Sequence, residues 1–250
     1  MAPAHAHSLG LFGWLRILRR SLVLVAWLLA CLALYLLCSV RRGRNPASRL
    51  FLSGVLRIVG GRLIVTGEPV RMPSILLANH LTWIDIPALA KATGSAFVAH
   101  EGLAAHPVMR FLCQLNRTVF IARSDRASVG GQVDQVRDGL NESGVLTLFP
   151  EGTTGADAQL LPFKSSLLAA VENSTDDVAI RPVAVDYRPF TRELAWVGDE
   201  PGPLNFKRVL ARKGQFTVTV HLLPPLTGSE RQGRKAIAAS AHKAVATRLD

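Results

Sequence analysis

Twenty consecutive uncharged residues, Ser21 to Val40 (SLVLVAWLLACLALYLLCSV), constrain this chain more than any other feature. As an α-helix rising about 1.5 Å per residue, the run covers roughly 30 Å, the thickness of a bilayer hydrocarbon core. A core helix of that length would carry a polar face, and this run has none. A cleaved signal peptide has a shorter apolar stretch that stops at small residues. Leu28-Leu29-Ala30-Cys31 loosely fits a lipoprotein cleavage site, but the apolar run continues past the cysteine. Arg16, Arg19 and Arg20 precede the run, and Arg41, Arg42 and Arg44 follow it. The expectation is a membrane anchor whose arginines face anionic headgroups. With arginines at both ends, the positive-inside rule assigns no orientation. Residues 9–18 (LGLFGWLRIL) read as a short interfacial helix ahead of the main one. A helix pair lying in one leaflet therefore stands beside a single span.

The rest of the chain is long enough for one sizeable domain. No Pro/Ser/Gly-rich linker divides it, so the expected organisation is an anchoring segment over 1–58 and one folded domain over 59–250. The formal charge of +11 admits nucleic acid, an anionic membrane or acidic small molecules as partners. Basic residues crowd the apolar run and aromatics are only 6%, which favours the membrane and predicts no nucleic-acid partner. Cys31, Cys38 and Cys113 have neither metal-ligand spacing nor the pattern of a disulfide framework, in keeping with a reducing compartment.

From about residue 60, short apolar runs alternate with helical patterns. Strands are predicted over 63–65, 75–78, 96–99, 118–122, 145–149, 179–186 and 216–222. Helices are predicted over 84–93, 107–115, 127–142, 163–172 and 234–248. This alternation gives an α/β fold, with a mainly parallel or mixed central sheet covered by helices.

Three segments could carry chemistry. Asn79-His80-Leu81-Thr82-Trp83-Ile84-Asp85 follows a buried-strand pattern, so His80 sits at a strand's C-terminal end, where α/β folds place their sites. With His80 in a turn ahead of a helix, the Asp85 carboxylate can fold back to the imidazole, fix its tautomer and stabilise the imidazolium. Thr82 and Asp85 equally match a helix-capping box, which would make Asp85 purely structural. Phe149-Pro150-Glu151-Gly152-Thr153-Thr154 also follows an apolar strand. Glu151 could orient a polar substrate group and Thr153 could donate a hydrogen bond, while Pro and Gly equally predict an ordinary turn. Thr118–Arg123 (TVFIAR) ends in a guanidinium that could hold a phosphate or simply be solvated. Ile180-Arg181-Pro182-Val183-Ala184-Val185 reads as a buried strand and needs no function.

Taken in order, NHLTWID, FIAR, FPEGT and RPVAV resemble the glycerolipid acyltransferase family from about Leu63 to Tyr187, with weaker likeness from Asp199 to Leu226. The family pattern is Asn-His-x4-Asp, Phe-Ile-x-Arg, Phe-Pro-Glu-Gly-Thr and a Pro-Val strand. The resemblance implies acyl transfer to the free hydroxyl of a lysolipid, first of all 1-acyl-sn-glycerol-3-phosphate, giving phosphatidate. It implies His80 as general base oriented by Asp85. It implies Arg123 on the acceptor phosphate, Glu151, Gly152 and Thr153 lining the acceptor site, and Lys164 as the family's downstream lysine. The acyl donor would be an acyl carrier protein or coenzyme A thioester, with no metal and no further cofactor. The enzyme would sit on the inner membrane of a bacterium with its catalytic domain on the cytoplasmic side.

The sequence departs from the family where Arg commonly follows Glu-Gly-Thr and Thr154 stands here. His100-Glu101 replaces a common Lys-Glu, and Ser166 replaces a common glycine. Glu-Gly-Thr-Thr with Leu-Pro-Phe-Lys-Ser-Ser resembles a subgroup that includes lyso-ornithine lipid acyltransferases, so that lipid is the alternative acceptor. A membrane hydrolase would need a nucleophile beside His80, and Ser74 and Ser95 lack a nucleophile-elbow pattern. A non-enzymatic basic membrane adaptor is the remaining alternative.

Overall fold

The computed structural model describes residues 10–39, 46–121, 129–155, 160–172, 174, 177–198 and 200–250. Residues 21–39 of the apolar run lie within one continuous helix, α1 (Leu11–Ser39), and residues 11–18 of the short separate helix expected over 9–18 are instead its first turns. No Pro or Gly pair interrupts residues 11–39, and nothing in the sequence would break the helix there. A second helix, α2 (Ala47–Ile58), follows and packs against α1.

Buried or half-buried positions on α1 recur at Gly13, Ile17, Arg20, Leu24, Trp27 and Cys31, alternating steps of four and three residues. That spacing draws one stripe along the helix. Ile17 and Leu24 join the apolar core of the domain. The Trp27 indole Nε1 donates to the Phe51 carbonyl of α2 at 3.1 Å. Exposed Leu11, Leu15, Leu18, Leu22, Val25, Leu29 and Leu36 form the opposite stripe.

Two arginines expected at lipid headgroups are used inside the protein. Arg20 is 6% exposed. It donates to the carbonyls of Val209, Leu210 and Arg212 at 3.0–3.2 Å, and Arg16 donates to that of Ala211 at 2.7 Å. These oxygens belong to the last turn of a later helix, α8 (Gly202–Ala211), and to the residue after it. A helix end leaves its last carbonyls short of backbone partners, and two guanidiniums serve them, although that of Val209 also accepts from the Arg212 N–H.

Seven strands form one sheet: β1 (Gly61–Gly67), β2 (Ser74–Ala78), β3 (Ala96–His100), β4 (Val119–Ile121), β5 (Val145–Leu148), β6 (Ala179–Asp186) and β7 (Phe216–Leu222). Their order is β1-β7-β6-β2-β5-β3-β4. The run from β6 to β4 is parallel; β7 is antiparallel to β6, and β1 is parallel to β7. This is the mixed sheet expected from the alternating pattern. Every residue of β2 and β5 is buried, which explains why those strands read as unbroken apolar runs.

Strand alternation sends Leu76 and Ala78 to one face and Ile75 and Leu77 to the other. The first face is covered by α2, α3 (Asp85–Thr93) and α8, with Leu56, Leu89 and Leu210 fully buried. The second is covered by α5 (Val129–Ser143), α6 (Ala169–Glu172) and α9 (Arg234–Leu249), with Val171, Ile237 and Val245 fully buried. Among the described residues two further short helices are α4 (Pro107–Leu115) and α7 (Thr191–Leu194), whose Leu194 is buried in the core of the first face. The helix predicted over 163–172 is a 3-10 turn, Ser165–Leu168, running into the short α6. The sequence reading did not anticipate α2, α7 or α8.

Candidate active site

β2 delivers Ala78 to the C-terminal edge of the sheet, and the chain then turns before α3 begins at Asp85. Asn79 fixes the first residue of that turn. Its side-chain amide donates to the Val185 carbonyl at 3.0 Å, and its side-chain oxygen accepts from the Val185 N–H at 2.7 Å. The side chain thus continues the β2–β6 pairing past the last backbone pair, Ala78 with Val183.

His80 is then held from both sides of its backbone. Its N–H donates to Glu151 Oε1 at 2.7 Å, and its carbonyl accepts from the Gly155 N–H at 2.7 Å. Phe149 stacks on the imidazole, with ring centroids 4.0 Å apart and 18° between planes. The loop after β5 therefore builds the wall and the back of the histidine turn. Gly152 makes that loop possible, because its φ of +73° lies in the left-handed region that side chains disfavour.

Asp85 is fully buried. Its Oδ2 lies 2.8 Å from His80 Nδ1 and accepts from the N–H groups of Leu81 and Thr82 at 2.7 and 3.0 Å. Its Oδ1 accepts from the Tyr187 hydroxyl at 2.6 Å. The capping-box and catalytic readings are thus both partly met. Asp85 closes the turn through the Thr82 N–H, yet the Thr82 hydroxyl has no partner among the described residues. A carboxylate at Nδ1 favours the tautomer with its proton there, leaving Nε2 as the basic nitrogen. The His80 side chain is 19% exposed, so the ring is reachable from outside.

Glu151 is buried, and both its oxygens serve the backbone: Oε1 takes His80 N–H and Oε2 takes Leu161 N–H at 3.1 Å. Burial pushes its carboxyl up to about 7, against the pull of those two N–H donors and of nearby Lys164. The structure therefore places Glu151 behind His80, supporting its backbone. The segment carrying Lys164 is tied to the same loop, since its N–H donates to the Pro150 carbonyl at 2.9 Å, and the Lys164 side chain is exposed. Thr153 is exposed beside Gly152. The fold thus brings His80, Asp85, Glu151, Gly152, Thr153 and Lys164 together, while Arg123 lies outside the described residues.

Sequence reasoning missed Asn79 as an anchor and Tyr187 as a partner of Asp85. Two clefts of about 430 Å³ lie elsewhere, one lined by Glu172, Leu226 and Arg231 among others and one by Arg57, Arg62 and Lys91 among others; His80 lines neither. Among the described residues no three His, Cys, Asp or Glu side chains gather as a metal site would require. The assembled parts are a tautomer-fixed imidazole, a buried carboxylate behind it and an open outer face. Such a site can take a proton from a hydroxyl and return it to a leaving group.

A family model described as Acyltransferase matches residues 62–186. A lyso-ornithine lipid O-acyltransferase of Rhodobacter capsulatus is 34% identical over 241 residues, spanning 90% of this chain and 85% of that protein. A 1-acyl-sn-glycerol-3-phosphate acyltransferase of Neisseria gonorrhoeae is 32% identical over 114 residues, 46% of this chain and 43% of that protein. Among solved structures, the 1-acyl-sn-glycerophosphate (LPA) acyltransferase PlsC of Thermotoga maritima shares the fold with a TM-score of 0.59. It is 21% identical, and the match covers 93% of this chain and 97% of that one.

Proposed function

This chain belongs to the acyltransferase family, and on that premise we propose that it acylates the free hydroxyl of a lysolipid, with His80 as general base and Asp85 as its partner. The observation that carries the mechanism is the 2.8 Å contact between His80 Nδ1 and a fully buried carboxylate. Nε2 takes the proton of the acceptor hydroxyl as its oxygen attacks the thioester carbonyl. A C–O bond forms, the tetrahedral intermediate collapses, the C–S bond breaks, and the imidazolium returns the proton to the departing thiolate. Asp85 stabilises the imidazolium between the two transfers. The donor is an acyl carrier protein or coenzyme A thioester, and the reaction as written draws on no metal or further cofactor.

Lyso-ornithine lipid is the acceptor we favour. Relatives that align along most of this chain bear that name, and Thr154 removes a cation that a phosphate acceptor would use. Lysophosphatidate is the second reading, favoured by the arginine of the Phe-Ile-Ala-Arg segment. Purified protein supplied with each donor and each acceptor tests both. Turnover with lyso-ornithine lipid alone is expected, turnover with lysophosphatidate alone reverses the acceptor, and steady release of free fatty acid without any acceptor would instead mean a hydrolase.

We place α1 and α2 as a pair immersed in one leaflet, with the domain on the cytoplasmic side. The docked stripe of α1 supports this, because a helix held to the domain at Arg16, Ile17, Arg20 and Leu24, and to α2 at Trp27, is not free to cross the bilayer alone. Its opposite stripe of exposed leucines faces the acyl chains.

A further inference from the structure

A second hydrogen bond lies behind the His80–Asp85 contact. Tyr187, just past the end of β6, donates its hydroxyl to Asp85 Oδ1 at 2.6 Å across 102 residues of sequence. We propose that Tyr187 is a positioning residue for acyl transfer, holding Asp85 in the orientation and charge state in which Oδ2 serves His80. The proposal rests on His80 acting as the base.

Three features support it. The Tyr187 side chain is fixed by packing: the residue is 1% exposed, and its ring meets that of Phe216 at 6.2 Å between centroids. The hydroxyl therefore has one direction to point. Asp85 needs a donor on that side, because Oδ2 already serves three N–H groups and Oδ1 would otherwise be a buried acceptor without a partner. A carboxylate with one oxygen unpaired is also freer to rotate, and rotation would carry Oδ2 away from the imidazole. Finally, the hydroxyl stays protonated. Burial, then the Asp85 charge, push the Tyr187 phenol well above its ordinary value, so it remains a donor wherever the reaction runs.

The strength of that donor tunes the site. Charge drawn towards Oδ1 is charge withdrawn from the bond to His80, so a stronger phenol donor makes the carboxylate a weaker partner for the imidazolium. Other charged groups nearby are Glu151 and Lys164 beyond β5, Asp186 with Arg188 at the end of β6, His221 on β7, and Arg208 with Glu200 at α8. Arg212 lies over the Phe216 ring. Among the described residues none of them hydrogen-bonds Asp85 or Tyr187, and all are shared by the variants compared below.

The sequence makes a graded test practical, because it contains only two tyrosines, Tyr35 and Tyr187. In a Tyr35→Phe background, biosynthetic 3-fluorotyrosine alters Tyr187 alone, keeping its shape and making its hydroxyl a stronger donor. Tyr187→Phe in the same background removes the donor. The phenylalanine variant is expected to lose about tenfold in kcat with KM for both substrates nearly unchanged. In the fluorinated protein, where Asp85 keeps its orientation, the acid limb of kcat/KM should move down by about half a pH unit. In an Asp85→Asn background, Tyr187→Phe should cost nothing further in kcat. An acid limb that stays put in the fluorinated protein, or a kcat loss that adds fully to that of Asp85→Asn, overturns the proposal and leaves Tyr187 as packing. If the phenylalanine variant does not fold, the fluorinated protein decides alone, and an unmoved limb overturns the proposal. Full activity in His80→Ala would defeat the general-base reading itself, a result distinct from either outcome at Tyr187.

Discussion

His80 and Glu151 are joined by one short hydrogen bond, and two predictions follow from it. His80→Ala removes the base while its backbone N–H still meets Glu151, so acyl transfer should fall by about a thousandfold or more with fold and membrane attachment unchanged. A radiolabelled acyl-transfer assay beside a thermal melt checks both halves. Glu151→Gln acts through structure. The amide offers one acceptor where two N–H donors wait, and its NH2 faces the other donor, whereas even a protonated carboxyl keeps a lone pair on each oxygen, a difference of about 1–3 kcal/mol. The wild-type carboxyl titrates at about 7, above its unfolded value of 4.5. The folded chain therefore holds more protons between those values, and the contribution of this group is full below about 4.5 and is lost as pH rises through 7. The stability gap between wild type and Glu151→Gln should accordingly be widest below about pH 4.5 and narrow towards about pH 8 in denaturant titrations. At this scale the sequence disclosed His80, Asp85 and the Pro-Glu-Gly turn, because strand ends and turn residues leave local patterns. Glu151 and Tyr187 hid their roles for one reason: each reaches its partner across 71 or 102 residues, and no local pattern encodes such contacts.

At the scale of elements, the junction of α1 and α2 is the most sharply specified. A Cβ placed on Gly54 would collide with the Trp27 indole, whose N–H is already committed to Phe51. The two helices approach closely because position 54 has no side chain. Gly54→Ala should therefore push them apart and destabilise the protein by about 1–3 kcal/mol, visible as a lowered melting temperature and a shifted Trp27 fluorescence. The pattern of the strands was legible because β2, β5 and β6 are buried on both faces and read as apolar runs. The helix α2 was not, since ASRLFLSGVLRI mixes Ser, Gly and Arg into its apolar spacing and follows a basic stretch that reads as an exposed flank. The α8 helix was missed for a related reason. It opens with Gly202-Pro203 and ends against two arginines from the other end of the chain, so its C-terminal cap lies some 190 residues away.

Over the whole molecule, the same arginines join the N-terminal helix to the domain that carries the site. Arg16 and Arg20 lock the first half of α1 onto α8, and Lys207 of α8 lies 4.2 Å above the Trp14 ring. Phe206, next to Lys207 on α8, meets Trp83 of the histidine turn at 5.2 Å between ring centroids. The apolar outer stripe of α1, the exposed Leu204 and Phe206, and the turn that carries His80 are therefore parts of one connected body. If that body rests in one leaflet, an acceptor can pass from the bilayer to His80 with its acyl chain still in apolar surroundings. The ends of α1 report the arrangement directly. Gly10 and Pro46, which flank α1 and the segment after it, are both exposed, so a cysteine at either is open to reagent. In a background without Cys31, Cys38 and Cys113, Gly10→Cys and Pro46→Cys should both react with an impermeant maleimide from the same side of sealed, oriented vesicles. A helix of 29 residues is about 44 Å long and could cross a bilayer core by length alone. Labelling of the two positions from opposite sides would therefore mean that α1 spans, and that the arginine contacts with α8 are broken or displaced in the membrane.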